Sequence, residues 1–246
     1  MTPPLVLLHA FPLDARMFDP IRPLLSANVD LLTPDLRGFG SGPALADPPP
    51  EPDLGLLALD VLAALDDQGI DRAIVGGVSM GGYVALAVLR AAPHRVAGLL
   101  LADTRSAADD SDALDRRSNT AARADRGDIA TGLDAVGPLI GKGAAEPIRA
   151  ALVAMADDVP AATVAWAQRA MAARPDSTPA LAAAGIPVLV VVGEADSVTP
   201  PEVAREMATA VPGAELVQLP DVGHLSPSED PQGFAAAVIG WLDRHF

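Results

Sequence analysis

The sequence predicts an α/β fold, a mostly parallel sheet of about six strands flanked by helices. Short apolar runs alternate along the chain with segments whose apolar residues have helical spacing, which is typical of a parallel sheet covered by helices. The runs are continuously apolar, as expected of strands buried on both faces. Residues 106–180 depart from this alternation, because they hold helical patterns and no convincing strand.

Each predicted element follows from one of these two patterns. Strands are predicted at 5–8, 29–33, 73–77, 96–102, 187–192 and 215–219. Outside residues 106–180, helices are predicted at 54–68, 80–92, 201–210 and 234–242, with short pieces at 14–25, where two prolines interrupt the pattern. Within residues 106–180, helices are predicted at 113–126, 148–155 and 161–173.

The long helical stretch between the fourth and fifth strands predicts the domain organisation. Residues 1–105 and 181–246 are expected to form one α/β core, and residues 106–180 a helical cap, or lid, inserted into it. Residues 43–53 are rich in proline and acidic residues and are expected to be a surface linker. With 246 residues, half of them hydrophobic, the chain can bury one substantial core.

Charge and residue usage exclude several classes of function. The 32 acidic and 17 basic residues give a net charge of -15, which disfavours binding to the phosphate backbone of nucleic acids. Only one basic residue is a lysine, Lys142, and no cluster of Lys and Arg indicates a membrane-binding surface. The absence of cysteine excludes disulfides, thiol catalysis and cysteine-ligated zinc.

Location and assembly are expected to be those of a cytoplasmic monomer or homodimer. No apolar run approaches the roughly 20 residues needed to span a bilayer. The start of the chain lacks the positively charged region of a signal peptide. We expect no membrane partner and no nucleic-acid partner.

A single serine lies between an apolar run and a helical pattern. Gly77, Ser79 and Gly81 have the G-x-S-x-G spacing of a nucleophile elbow, a tight strand-to-helix turn that exposes the serine. Glycine is favoured two positions either side because strand and helix nearly touch there. Alone, the pattern fits a close-packed turn equally well, so a catalytic interpretation needs partner residues.

The chain offers such partners at the ends of later strands. A serine nucleophile needs a base, a carboxylate that orients the base, and donors for the developing oxyanion. His224 follows the sixth predicted strand and Asp196 the fifth, so both are expected at the same sheet edge as Ser79. Asp103 also ends a strand and is the alternative acid, although an ion pair with Arg105 or a loop anchor is the favoured interpretation.

Five motifs in a fixed order carry a family resemblance. They are His9-Ala10-Phe11-Pro12-Leu13-Asp14, Asp35-Leu36-Arg37-Gly38-Phe39-Gly40-Ser41, Gly77-Val78-Ser79-Met80-Gly81-Gly82, and the segments around Asp196 and His224. The order Ser, Asp, His is that of α/β-hydrolases. The chain resembles this superfamily over essentially its whole length, and most closely its capped esterases and 3-oxoadipate enol-lactonase-like members.

The resemblance implies a role for each matching residue. Ser79 would be the nucleophile, His224 the general base and then acid, and Asp196 the carboxylate that holds the imidazole. The backbone N–H groups of Phe11 and Met80 would form the oxyanion hole, because Pro12 has no N–H. No metal ion or organic cofactor is implied.

Two positions depart from the family pattern, and two more are candidates for substrate binding. Ala10 stands where the family often has glycine, and only four residues precede the first strand, so the sheet is expected to be a short version. His9 adjoins the oxyanion loop and is a candidate to touch substrate, although holding that loop by hydrogen bonds is the favoured role. Trp166 is a candidate to line an acyl pocket, or else to pack within the lid.

Three functions remain open on the sequence. The first is hydrolysis of a small carboxylic ester or lactone through an acyl-enzyme on Ser79. The second uses the same triad for carbon–carbon bond hydrolysis or perhydrolysis. The third is a non-catalytic α/β-hydrolase fold that binds a ligand.

Overall fold

Parallel strands form the centre of the computed structural model, which describes residues 2–47 and 49–246. The strands are β1 (Leu5–Leu8), β2 (Leu31–Leu32), β3 (Ala73–Val78), β4 (Val96–Ala102), β5 (Val188–Gly193) and β6 (Glu215–Leu219). Within the described residues they make one six-stranded sheet in the order β2-β1-β3-β4-β5-β6, with every neighbouring pair parallel. The predicted fold class and strand number are confirmed.

Helices fill the connections between the strands. They are α1 (Arg22–Leu25), α2 (Leu54–Asp67), α3 (Met80–Ala91), α4 (Ser111–Ala124), α5 (Gly132–Val136), α6 (Glu146–Asp157), α7 (Ala161–Ala172), α8 (Thr178–Ala182), α9 (Pro201–Thr209), α10 (Ser226–Glu229) and α11 (Pro231–His245). Short 3-10 helices span Ala15–Phe18, Pro93–Arg95 and Gly137–Leu139. None of these helices is by itself long and apolar enough to cross a bilayer; α6 and α7, which meet at 95°, reach that length and composition only when taken together.

The two sheet faces each bury one apolar cluster, which explains the continuous apolar runs. Val6, Leu8 and Val75 belong to one cluster, whereas Leu5 and Leu7 belong to the other, so successive residues of a strand point to opposite sides. Helices cover both faces of the sheet, so successive residues of a strand can all be apolar although they point to opposite sides. This is the arrangement expected of a parallel sheet.

The strand order places the first residues after β1 beside the first residues after β3. The chain runs from β1 outward to β2 and then crosses back to β3, so the direction of strand addition reverses between β1 and β3. Leu8, the last residue of β1, is in register with Gly77 of β3. Ligands of open parallel sheets bind beyond the carboxyl ends of the strands at such a reversal.

Several predicted boundaries are wrong for physical reasons. The second strand was expected at 29–33 but is limited to Leu31–Leu32, because this edge strand pairs only with Leu5 and Val6 of β1. The last helix begins earlier than predicted, at Pro231, because the Asp230 side chain caps it by accepting from the Gly233 N–H. Helices α5, α8 and α10 span only four or five residues, too few to produce a readable periodicity.

Between β4 and β5, the part of the chain that the structure describes forms helices and no strand. We call residues 106–180 the helical segment. It includes α4 to α7, and α8 continues from it to Ala182, past the predicted boundary at 180. Helices α4 and α7 pack together within this segment. Its role as a cap stays a prediction.

A buried charge cluster joins the helical segment to α3. The Asp109 carboxylate accepts hydrogen bonds from Arg117 of α4 and from Arg174, which follows α7. The side chains of Asp109 and Arg174 are 1% and 4% exposed, and the Arg174 guanidinium stacks 4.0 Å from the ring centre of Tyr83 on α3. Burial opposes ionisation of Asp109, but the hydrogen bonds from Arg174 and Arg117 lower its pKa to about 2. The cluster is therefore ionised in the folded protein.

Neutralising Asp109 should destabilise the protein far more than neutralising an exposed carboxylate. We expect Asp109→Asn to reduce the free energy of unfolding by about 3 kcal/mol, because the buried Arg174 and the partly buried Arg117 lose their carboxylate partner. Asp128→Asn is the matched control: Asp128 pairs with Arg123 on the surface, where solvent screens the pair, so its loss should change stability little. Urea denaturation measures both. Equal losses in the two variants would contradict this prediction.

The same cluster gives a direction for the pH dependence. The folded pKa of Asp109 lies below the ordinary value of 3.8, so its stabilising effect is complete above about pH 4 and disappears as the pH falls toward 2. We expect the stability difference between wild type and Asp109→Asn to shrink over this range. Urea denaturation at several pH values measures this difference. A stability difference that stays constant from pH 6 to pH 2 would contradict a stabilising role of the ionised Asp109.

Candidate active site

Ser79 lies on a strained turn between β3 and α3. Its backbone has φ +52° and ψ -113°, a conformation that residues with a side chain rarely adopt. Its N–H donates to the Ala102 carbonyl at the end of β4, and its own carbonyl accepts from the Thr104 hydroxyl. The turn is therefore fixed to the neighbouring strand, and it leaves the Ser79 residue partly exposed.

The glycines beside Ser79 allow three backbone segments to meet. A Cβ on Gly77 would overlap the backbone of Gly81, and a Cβ on Gly81 would overlap the carbonyl of Leu8 at the end of β1. Neither position has room for a methyl group. The spacing of the G-x-S-x-G motif is thus a steric requirement in this fold, as well as a feature of the serine site.

The structure brings Asp196 and His224 into direct contact. Nδ1 of His224 lies 2.8 Å from Oδ2 of Asp196, and both side chains are buried. The Thr199 hydroxyl donates to the same oxygen at 2.7 Å, and the N–H groups of Val198 and Thr199 donate to Oδ1. Burial opposes ionisation of Asp196, yet the hydrogen bonds from His224 and Thr199 keep its pKa below the ordinary value.

The second ring nitrogen of His224 is left without a hydrogen-bond partner in the described part of the chain. Nε2 is buried and has no hydrogen-bond partner among residues 2–47 and 49–246, so no hydrogen bond joins it to Ser79. Because Asp196 accepts from Nδ1–H, the lone pair of the neutral imidazole is on Nε2. In proteins without bound substrate, hydrogen bonds between a nucleophile and its base are often long and shorten when the complex forms.

Asp103, the alternative acid, connects the loops that carry Asp196 and His224. Its Oδ1 accepts from the Gly193 N–H at 3.1 Å, and its Oδ2 accepts from the Ser226 N–H at 3.0 Å. Burial, and next the charge of Asp196, raises the pKa of Asp103 to about 7. Asp103 is thus a loop anchor, with no direct bond to the imidazole in the described hydrogen bonds.

The expected ion pair between Asp103 and Arg105 is wrong. Arg105 instead donates to the carbonyl of Val198, in the loop that holds Asp196. No salt bridge between Asp103 and Arg105 occurs in the described part of the chain. Each side chain holds the loop of Asp196 by its own contact: Arg105 through the Val198 carbonyl, and Asp103 through the Gly193 N–H. The buried Asp103 carboxyl is satisfied by backbone N–H groups.

The backbone N–H groups of Met80 and Phe11 are the two donors expected for an oxyanion hole. Met80 is the first residue of α3, where N–H groups have no partner within the helix and carry partial positive charge. Phe11 follows β1, beside the elbow. Neither N–H donates to a carbonyl or side chain within the described residues. Their role in an oxyanion hole stays a prediction.

His9 holds the loop that carries Phe11. Its ring is fully buried, Nε2 accepts from the Leu36 N–H at 2.9 Å, and Nδ1 lies 3.1 Å from the Ala10 carbonyl. Burial lowers the pKa of His9, so the ring is neutral and Nδ1–H donates. These contacts engage both nitrogens and favour the loop-holding role over substrate contact.

Trp166 lies against the proline-rich segment. Its buried indole N–H donates to the Pro50 carbonyl at 2.9 Å, which joins α7 to residues 49–52. This bond gives Trp166 a structural role. A role in lining an acyl pocket stays a prediction.

A separate groove of about 1090 Å³ opens between the loop that follows β2 and the helical segment. Its walls include Arg16, Asp35, Asp158 and Thr163, and none of the three triad candidates lines it. The polar side chains of this groove are largely paired with one another, as in the contacts of Arg16 with Asp158. Among the described residues, no group of three or more His, Asp or Glu side chains has the arrangement of a metal site.

Comparison with known proteins gives the family. Residues 5–237 match the model of the Alpha/beta hydrolase family. The chain belongs to the alpha/beta hydrolase family. The Aromatoleum aromaticum protein named pimeloyl-[acyl-carrier protein] methyl ester esterase is 29% identical over 257 residues, which cover 96% of each chain.

Two solved structures of alpha/beta hydrolases superpose over nearly the whole chain. A thermophilic esterase from Thermogutta terrifontis, with malate bound, is 35% identical with a TM-score of 0.89, and the match covers 98% of this chain and 89% of that one. The enol-lactonase from Burkholderia xenovorans is 27% identical with a TM-score of 0.86, and the match covers 99% and 92%. The predicted superfamily and fold are confirmed for this alpha/beta hydrolase.

The steric role of Gly81 can be tested by adding a methyl group. We expect Gly81→Ala to lower the free energy of unfolding by about 3 kcal/mol, because the new Cβ overlaps a backbone carbonyl that cannot rotate away. Gly137→Ala is the control, since its Cβ would meet nothing within 4 Å and its φ is -53°. The control should change stability by less than about 1 kcal/mol. Unfolding in urea compares the two, and equal stability would contradict the close contact.

Proposed function

We propose that this hydrolase cleaves a small carboxylic ester or lactone through an acyl-enzyme on Ser79. The observation that carries the proposal is the buried His224 ring, whose Nδ1 is bound to Asp196 while Nε2 has no partner. It lies at the sheet edge where Ser79 occupies a strained turn. A serine, an oriented imidazole and free N–H donors are the parts that acyl transfer needs.

The proposed reaction has two stages. Nε2 of His224 removes the proton of Ser79 Oγ as that oxygen attacks the carbonyl carbon, and the N–H groups of Phe11 and Met80 stabilise the oxyanion. The imidazolium then donates its proton to the leaving oxygen, which leaves an acyl group on Ser79. In the second stage His224 takes a proton from water, the resulting hydroxide attacks the acyl carbon, and the acid is released as Ser79 regains its proton.

The substrate is proposed to be a small molecule. The solved structures that resemble this chain are an esterase and an enol-lactonase by name, which favours an ester or lactone. The Aromatoleum protein is named for an ester on an acyl-carrier protein. In this chain the net charge of -15 and the single lysine disfavour an acidic carrier, because like charges repel during encounter.

The helical segment is proposed to act as the cap over this site. It is inserted between the strands that precede Asp103 and Asp196, and residues 139–141 contact the loop of His224. Side chains of a segment in this position are expected to line the substrate pocket. We therefore assign substrate preference to residues 106–180, with Asp196 and His224 supplied by the core.

Labelling with a fluorophosphonate tests the nucleophile. We expect one covalent adduct on the wild-type protein by intact mass, together with turnover of short-chain p-nitrophenyl esters. Ser79→Ala should lose the adduct and reduce kcat by at least about 10³-fold, because no acyl-enzyme can form. Adduct formation that persists in Ser79→Ala would overturn the assignment.

Parallel substrates separate the alternatives. A lactone panel, a carbon–carbon meta-cleavage product, and acetate with hydrogen peroxide are offered to the same protein. Ester or lactone turnover that requires Ser79 supports the proposal, and turnover confined to either of the other two replaces it with the second function. Tight binding of an ester without adduct or product would indicate the ligand-binding function.

A further inference from the structure

The side chain of Glu229 accepts hydrogen bonds from both sides of the His224 loop. Its Oε2 accepts from the Gly223 N–H at 3.1 Å, and its Oε1 accepts from the Leu225 N–H at 3.0 Å. These are the residues immediately before and after His224. A carboxylate that accepts several N–H groups fixes the backbone that supplies them, because each charge-assisted bond is strong and directional.

The same carboxylate reaches the helical segment. Oε2 of Glu229 also accepts from the Gly141 N–H at 2.8 Å. The N–H of His224 itself donates to the Leu139 carbonyl at 2.9 Å. The backbone of the His224 loop is therefore linked to residues 139–141 in two ways. One link is the direct hydrogen bond from His224 to Leu139, and the other runs through the Glu229 carboxylate.

Two glycines make this contact possible. A Cβ on Gly141 would lie 2.6 Å from Oε2 of Glu229 and 2.9 Å from the N of Gly223, and a Cβ on Gly223 would overlap the N of Gly141. The two backbones lie against each other with Glu229 between their N–H groups. No side chain larger than hydrogen fits at either position without moving one of them.

Glu229 itself is held in place by the core. It ends α10, whose first residue, Ser226, donates its N–H to Asp103, and whose Ser228 hydroxyl donates to the Met17 carbonyl. Within the described residues no Lys, Arg or His forms an ion pair with Glu229, so backbone N–H groups are its partners. The Glu229 carboxylate, with its three backbone donors, thus links the core helix α10 to two loops. We call Glu229 and its contacts with Gly141, Gly223 and Leu225 the latch.

We propose that Glu229 is a positioning residue that makes the placement of His224 depend on residues 139–141 of the helical segment. When that segment is seated, the base loop is held against it by Glu229 and by the bond from His224 to Leu139. When it moves away, the loop loses these restraints and the imidazole leaves its working position. This inference rests on the proposed function, in which His224 is the base.

Glu229→Gln tests the latch from the core side. The amide NH₂ cannot accept, so at least one of the three backbone donors loses its partner. We expect kcat for a short-chain ester to fall about 10- to 100-fold, because small displacements of a catalytic group have effects of this size. KM should change less than about 3-fold, since substrate contacts are intact. Glu202→Gln, at an exposed glutamate on α9, should leave both unchanged.

Gly141→Ala tests the latch from the helical segment. Its Cβ collides with Glu229 and Gly223, so we expect the same fall in kcat with little change in KM. Gly143→Ala is the matched control two residues away, where an added Cβ meets nothing within 4 Å. If both changes act through one latch, their effects should not multiply. The kcat of the double variant Glu229→Gln/Gly141→Ala should then lie within about twofold of the kcat of the slower single variant. Losses that multiply would overturn the proposal.

The ¹H NMR signal of the His224 Nδ1–H gives a readout that does not need turnover. In ¹⁵N-histidine-labelled protein, the signal of the Nδ1 proton, which is hydrogen-bonded to Asp196, should be sharp in wild type, Glu202→Gln and Gly143→Ala. It should be broadened or lost in Glu229→Gln and Gly141→Ala. An unchanged signal with unchanged kcat in both latch variants overturns the proposal, as does a lower melting temperature as the sole effect. If Glu229→Gln fails to fold, Gly141→Ala and its control decide alone.

The outcome of this test is separable from that of the proposed function. Absence of a fluorophosphonate adduct on wild type would refute the serine mechanism, whereas the NMR comparison would still report whether Glu229 holds His224. A wild-type adduct together with unaffected latch variants would refute the latch and leave the serine mechanism in place.

Discussion

The close approach of α3 to the ends of β1 and β3 is the constraint on which the rest of the site depends. Gly77, Gly81 and the carbonyl of Leu8 meet without room for a methyl group. The residue between strand and helix, Ser79, has a positive φ at this contact, and Met80 begins α3 directly after it. Strain at Ser79 is tolerated because Ala102 at the end of β4 and the Thr104 hydroxyl just after it fix its backbone.

Three carboxylates at the sheet edge, of which Asp103 and Asp196 are buried and Glu229 is partly buried, bond largely to backbone N–H groups. Asp196 accepts from two N–H groups as well as from Thr199 and His224, Asp103 from two, and Glu229 from three. Backbone donors cannot swing away as a lysine would. Each carboxylate therefore organises a loop, in contrast to the buried Asp109, which is satisfied by the side chains of Arg174 and Arg117.

Much of the fold and the outline of the site follow from local patterns. Continuous apolar runs predict the parallel sheet, and the spacing of Gly77, Ser79 and Gly81 predicts the elbow, because these are short-range steric rules. The contact of Asp196 with His224 could be expected from their places after neighbouring strands. The catalytic roles themselves stay predictions until labelling and kinetics test them.

Other features could not be predicted because they depend on contacts between distant residues. Glu229 and Gly141 are 88 positions apart, and a bond from a carboxylate to a backbone N–H leaves no pattern in side-chain types. Asp103 and Arg105 are neighbours of opposite charge, yet the backbone of Asp103 has φ +46° and its side chain bonds Gly193 and Ser226 instead. The short edge strand β2 was overestimated because apolar residues beside a sheet need not pair with it.

The junction between the helical segment and the His224 loop is made largely of main-chain atoms. Residues 139–141 contribute a carbonyl and an N–H, and residues 223–225 contribute three N–H groups. One side chain of the segment supports this junction: Arg149 of α6 donates to the Gly141 carbonyl at 2.9 Å. Under the proposed function, the side chains that line the pocket could therefore diverge during evolution, or be redesigned, while the junction is inherited unchanged, provided that the two glycines, Glu229 and Arg149 are kept. Substrate range and base placement would then be separable traits in this architecture.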